Sequence, residues 1–327
     1  MSTGTVVLQF MATALVIVVC GVVLARTGDT IADRTKLSGV WVGSVLLALA
    51  TSLPEIVTDV AAVRLGVVDL AVGDLLGSSM ANMLLLGIVA LSPGGRALFG
   101  GASRTHSLNA ALGILLTIMA AVTLIVRPSA RVLGVGIGSL LMVLVYVLVS
   151  GVAYRINQDR PLPEAHRDLV GAMSMSRAVG GLLASAVLIV LVAPRFAHLA
   201  HVLAEQSGLG TTVVGTVLVG LSTSLPELVT SLAAVRLKAY DLAIGNLFGS
   251  NAVNMLVFAA LDPLHPPGAL LSVANASHLL TALMAVALMA VGVVLTVLGP
   301  QRPAAVSRGG GAALLLLYGV GVWLLTR

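Results

Sequence analysis

The chain has 327 residues, 58% of them hydrophobic and only 9% charged, with a formal net charge of +5. Soluble domains carry roughly a quarter of charged residues, so this composition excludes one. It also argues against a nucleic-acid surface: the expected partner is a lipid bilayer.

About twenty apolar residues span the hydrocarbon layer of a bilayer. On that measure the sequence predicts an all-α polytopic membrane protein with ten spans, at 5–25, 39–64, 67–92, 106–126, 132–154, 177–200, 210–237, 239–261, 277–298 and 311–326. The first run has no basic residue ahead of it, and Arg26 follows it. A cleavable secretory signal has the opposite order, so the segment reads as a retained helix.

The loops set the expected orientation. Of the 18 Lys and Arg residues, 13 follow odd-numbered spans, including Arg34, Arg96, Arg177 and Lys238; the other 5 are Arg64, Arg127, Arg131, Arg195 and Arg327. Basic residues favour the cytoplasm, which predicts both termini external in a cell (plasma or inner) membrane. Residues 155–176 then form a cytoplasmic linker between an N-terminal unit, 1–154, and a C-terminal unit, 177–327. Cys20 is the single cysteine and lies inside a span, which excludes an intrachain disulfide. A monomer without a cofactor is expected.

"TSLPEIVTDVAAVRL" begins at Thr51 and "TSLPELVTSLAAVRL" at Thr223. Adding 172 to each position from Thr51 to Met83 gives a gapless match to Thr223–Met255, with 21 of 33 pairs identical. The shift carries span two onto span seven. Five helices is an odd number, so the second copy enters the membrane from the opposite face. Two inverted five-helix repeats with helices broken at spans two and seven are the architecture of a secondary transporter.

Each copy is rich in hard oxygens. Proline has no N–H, so Pro54 deprives the carbonyl of Ala50 of its usual partner and Pro226 does the same to Ser222. Thr51, Ser52 and Glu55 flank the first break; Thr223, Ser224 and Glu227 flank the second. Asp74, Ser78 and Asn82 stack on one side of span three, as Asn246, Ser250 and Asn254 do on span eight. Brought together at the midplane, two glutamates, two asparagines (Asn82 and Asn254) and several hydroxyls suit Ca²⁺, which takes six to eight oxygens.

Blander roles compete for some of these residues. Ser78 and Ser250 also fit a seam of small residues that lets helices approach. Asp69 and Asp241 are expected to cap the starts of their helices. Mid-membrane carboxylates are costly, however, and that favours a functional reading of Glu55 and Glu227. The six histidines show no zinc spacing and no serine–histidine pairing, so no catalytic residue and no enzyme activity are expected.

"ATSLPEIV" with "AVGDLLGSSMANM", and "STSLPELV" with "AIGNLFGSNAVNM", resemble the two alpha-repeats of the cation/calcium antiporter superfamily, nearest to the sodium/calcium exchangers. The resemblance implies alternating-access exchange of Ca²⁺ against Na⁺ at four central cation sites. It implies ligand roles for Thr51, Ser52, Glu55, Ser78, Asn82, Thr223, Ser224, Glu227, Ser250 and Asn254, with the backbone carbonyls of Ala48 and Gly220. The chain departs from the pattern in four places. Asn254 stands where many exchangers have aspartate, Asp74 where "GN" is usual, and Ser79 where "GSN" has asparagine. Asp59 has only Ser231 as its counterpart. Asp59 and Asp74 are therefore expected as acids along the pathway. A Ca²⁺/H⁺ exchanger on the same scaffold is the alternative, and a passive cation channel a remote one.

Overall fold

The computed structural model describes residues 3–35, 37–101, 103, 105–157, 173–206, 224–301 and 303–325. Gly220, Thr223, the first part of the expected seventh span and most of the 155–176 linker lie outside these residues. Apart from a small hairpin pairing Arg131–Val132 with Val135–Gly136, the regular structure is helical.

The first half contains α1 (Thr3–Thr35), α2 (Gly39–Thr51), α3 (Leu53–Arg64), α4 (Val68–Leu91), α5 (His106–Val126) and α6 (Ile137–Asn157). The second half contains α7 (Met175–Gln206), α8 (Leu225–Arg236), α9 (Tyr240–Leu261), α10 (His278–Leu298) and α11 (Pro303–Leu325). Among the described residues, seven helices are long and apolar enough to cross a membrane, or eight if α2 and α3 count as one bent span. α6 adds a shorter apolar stretch, Ile137–Val152, and α8 is the described remainder of the expected seventh span.

The expected limits hold closely at α4, α5, α9 and α10. They fail at α1, which runs on to Thr35, and at α11, which already starts at Pro303. A helix closes its own backbone hydrogen bonds, so it extends past the apolar run that a hydropathy reading detects. Arg26, Arg34 and Arg308 are consequently helical rather than loop residues.

α2 and α3 meet at 45°. Pro54 sits in the first turn of α3, where its missing N–H costs least. The amide of Ser52 still reaches Ala48 O at 3.0 Å and that of Ile56 reaches Ser52 O at 3.1 Å, so the chain bends without unravelling. Ahead of the bend, Val42–Leu47 is wound as a π-helix, a form that recurs at functional sites. This segment lies backbone to backbone against α9: a Cβ added at Gly249 would sit 2.3 Å from Ser44 O, and one at Gly43 would sit 2.8 Å from Leu242 O.

The packing repeats when the halves are exchanged. α1 lies along α7, α5 along α10 and α4 along α9; α4 also packs on α10 as α9 packs on α5. The two partner helices form the centre, with 72% of the apolar window of α4 and 89% of that of α9 buried, against 22% for α1. The rim exposes large apolar side chains such as Leu8, Leu148, Leu191 and Leu316, the surface a lipid-solvated bundle presents.

One local expectation is overturned. Asp69 and Asp241 do not cap α4 and α9, whose caps are Val67 and Ala239 without a side-chain bond. Asp69 Oδ1 instead accepts from the Asn275 amide at 2.7 Å, and Asp241 Oδ1 from the Ser103 amide at 2.6 Å. Both aspartates are spent on joining the two halves, where a loop amide and a histidine offer closer donors than their own helix does.

Candidate functional site

The site is built where the bend after α2 and the start of α8 face the central pair α4 and α9. Each proline opens a short helix, and each helix carries its glutamate in the first turn. There the free N–H groups and the positive end of the helix dipole favour an anion. Glu55 is 3% exposed and Glu227 1%. Such burial requires a compensating partner for either charge.

Contacts cross between the halves at this level. The hydroxyl of Ser52 donates to Glu227 Oε1 at 3.4 Å. The hydroxyl of Thr51 lies 3.2 Å from Asn246 Oδ1, and also within reach of its own helix carbonyls Leu47 O (3.1 Å) and Ala48 O (3.3 Å). Asn246 in turn donates through Nδ2 to Ser231 Oγ at 3.2 Å and to Glu227 O at 3.4 Å. The Asn82 amide donates to Asn251 Oδ1 at 2.9 Å, and that of Asn254 to Leu75 O at 3.4 Å.

What these bonds leave over is informative. Buried side-chain oxygens without a hydrogen-bond partner among the described residues include Glu55 Oε2, Asn82 Oδ1, Ser224 Oγ, Glu227 Oε2 and Ser250 Oγ. These five belong to the residues expected to hold a cation; Asp59, Asp74, Thr230 and Ser307 carry such oxygens as well. An unsatisfied buried polar group costs about 1–3 kcal/mol, more when charged, and a cation at hand removes that cost. Ser78 is buried on the same column of α4, while Thr223 and Gly220 lie outside the described residues.

Acids other than the glutamates stand nearby. Glu55 is within electrostatic reach of Glu227, Asp74 and Asp59, and Asp59 and Asp74 interact with each other. Asp59 is 1% exposed, with neither carboxylate oxygen assigned a regular hydrogen bond. Nevertheless, among the described residues no three His, Cys, Asp or Glu side chains converge on one point. Electrostatic reach is longer than coordination distance.

The aligned block pairs Asn251 with Ser79 and Ser231 with Asp59, but it gives no sign that Asn251 bonds Asn82 or that Ser231 and Thr51 bond Asn246. The histidines were read as unremarkable, yet His106 Nε2 lies 2.9 Å from Asp241 Oδ1 and His278 Nε2 lies 3.2 Å from Asp69 Oδ1. The signal was present: His106 and His278 are themselves 172 residues apart, beyond the end of the aligned block.

Comparison with known proteins bears on this geometry. The profile of the family described as "Sodium/calcium exchanger protein" matches residues 5–154 and 177–327. The inner membrane protein YrbG of Escherichia coli (strain K12) is 31% identical over 291 residues, covering 86% of this chain and 84% of that protein. The sodium/calcium exchanger MaX1 of Methanosarcina acetivorans is 34% identical over 137 residues, covering 42% of this chain and 37% of its own. Among solved structures, the sodium-calcium exchanger NCX_Mj superposes with a TM-score of 0.74 at 21% identity, covering 99% of this chain and 100% of that one. At that identity the likeness is one of fold.

Proposed function

The chain belongs to the sodium/calcium exchanger protein family and is an integral-membrane cation antiporter; on that premise we propose that it exchanges Ca²⁺ for Na⁺ by alternating access at a midplane site. The proposed ligands are the side chains of Thr51, Ser52, Glu55, Ser78, Asn82, Thr223, Ser224, Glu227, Ser250 and Asn254, with the carbonyls of Ala48 and Gly220. Glu55 and Glu227 supply the two negative charges that balance one Ca²⁺, and the neutral oxygens complete its shell. Na⁺ needs no dedicated carboxylate and is held by hydroxyls and the carbonyls beside each proline.

The observation that carries this reading is the set of partnerless buried oxygens on Glu55, Asn82, Ser224, Glu227 and Ser250, contributed by both halves. Alternation requires a seal on either side of that set. α1 contacts α8 and α7 contacts α3, and α1 and α7 pack on each other, an arrangement that supports a concerted movement of the pair over the glutamate-bearing helices. The proposal includes the ten-span inverted arrangement, external termini, a cytoplasmic linker at 155–176 and a monomeric transport unit.

A Ca²⁺/H⁺ exchanger is the second reading, and the interacting acids Asp59 and Asp74 favour it. Two carboxyls this close offer a place where a proton could be carried in exchange for the cation. Ca²⁺ uptake into proteoliposomes preloaded with Na⁺ or with protons, at clamped potential, separates the two. Uptake that follows the Na⁺ gradient at constant pH supports Na⁺ coupling; uptake that follows the pH gradient and ignores Na⁺ refutes it.

A further inference from the structure

We infer that Asn251 is a positioning residue that fixes which end of the Asn82 carboxamide faces the transported cation. The inference rests on the reading above, in which Asn82 lends its oxygen to Ca²⁺. An asparagine side chain presents an oxygen acceptor at one end and an NH₂ donor at the other, and the two ends are nearly equal in shape. A cation is attracted by one end and repelled by the other. Something must hold the rotation of the Asn82 side chain, which is only 2% exposed.

Asn251 does it. Its Oδ1 accepts from Asn82 Nδ2 at 2.9 Å, the shortest of the side-chain bonds that cross between the halves at this level. That bond consumes the donor end and leaves Asn82 Oδ1 buried without a partner. Asn251 is itself fully buried. It follows Ser250 by one residue and so sits about 100° round α9 from the column of Asn246, Ser250 and Asn254. From that position its Oδ1 reaches Asn82, while its own Nδ2 is buried without a partner among the described residues.

The other half solves the same problem differently. The residue 172 positions earlier is Ser79, whose hydroxyl donates to Leu75 O at 3.0 Å. Asn254 donates its Nδ2 to the same carbonyl at 3.4 Å. A backbone carbonyl is a fixed acceptor; Asn251 is a side chain that a single substitution can change. The two amides of the site are thus held by unequal means, and only that of Asn82 depends on a side chain.

The test is the Ca²⁺ dependence of Na⁺-driven uptake, with Ca²⁺ alone as the probed ligand. Asn251→Ala removes the acceptor and is expected to raise half-saturating Ca²⁺ by about 10–100-fold, the usual cost of losing a group that orients a metal ligand. Maximal rate falls far less. Asn251→Asp keeps an acceptor and lacks a donor, so it is expected to restore half-saturation to near the wild-type value. In an Asn82→Ala background neither substitution at 251 matters, which separates orientation from the charge that aspartate adds. Where Asn251→Ala does not fold, Asn251→Leu, close in size and without an acceptor, takes its place. The inference is overturned if the alanine variant keeps wild-type half-saturation, if aspartate is as poor as alanine, or if the effects persist without Asn82. A wild-type protein with no Ca²⁺-dependent uptake removes the exchange reading itself, and this inference with it.

Discussion

His106, at the head of α5, holds Asp241, at the head of α9, at 2.9 Å, and His278 holds Asp69 at 3.2 Å in the same way with the halves exchanged. Each bond ties the first turn of a helix in one half to the first turn of a central helix in the other. The two clasps differ in exposure: the His106 side chain is fully buried, whereas that of Asp69 is 57% exposed. The buried clasp is the one whose loss strands a polar group.

Asp241→Ala is therefore expected to cost about 1–3 kcal/mol, because His106 is left buried without its partner. Asp69→Ala costs less than about 1 kcal/mol, as exposed pairs do. Thermal unfolding of the purified proteins ranks them. Equal losses at the two positions count against the distinction.

Gly249 allows α2 to touch α9, and a Cβ there would lie 2.3 Å from Ser44 O. Gly249→Ala is expected to push the π-helical segment away and destabilise the fold by about 1–3 kcal/mol. Gly319→Ala, where a Cβ meets nothing within 4 Å among the described residues, serves as the tolerated control. The comparison reads folded yield and melting temperature.

Asp59 is buried without a regular hydrogen bond and interacts with Asp74. Asp59→Asn relieves that strain and is expected to raise the melting temperature by about 1–2 °C, the effect of roughly 1 kcal/mol in a chain of this length. Transport is expected to slow while remaining Na⁺-driven. A variant that becomes unresponsive to Na⁺ but keeps its response to pH assigns the coupling elsewhere.

The basic residues predict topology. Reporter fusions at Asp159 and at Arg327 are expected in opposite compartments, the first cytoplasmic and the second external. Both in one compartment contradicts the ten-span arrangement and the inverted symmetry together.

Much of this was legible in the sequence because the chain repeats itself. The offset of 172 placed Glu55 with Glu227 and Asn82 with Asn254, and the structure places Ser52 against Glu227 as facing repeats require. The apolar runs located α4, α5, α9 and α10 because a helix that crosses the hydrocarbon layer is predominantly apolar along its length. What escaped was of two kinds. Helix ends beyond the apolar runs, at Thr35 and Pro303, leave no hydropathy signal. Pairings between unlike residues, such as Asn82 with Asn251 or His106 with Asp241, follow from which helix lies beside which, and a repeat aligns a residue with its counterpart rather than with its neighbour.

The central claim is that one glutamate from each half completes a single Ca²⁺ site. Na⁺-driven Ca²⁺ uptake, measured side by side for the wild-type protein, Glu55→Gln and Glu227→Gln, tests it most directly. Glutamine keeps the size and the hydrogen-bonding shape of each side chain and removes one of the two charges that balance the ion. The account predicts uptake by the wild-type protein and its loss in both variants, each still folded. Wild-type exchange by either folded variant contradicts it.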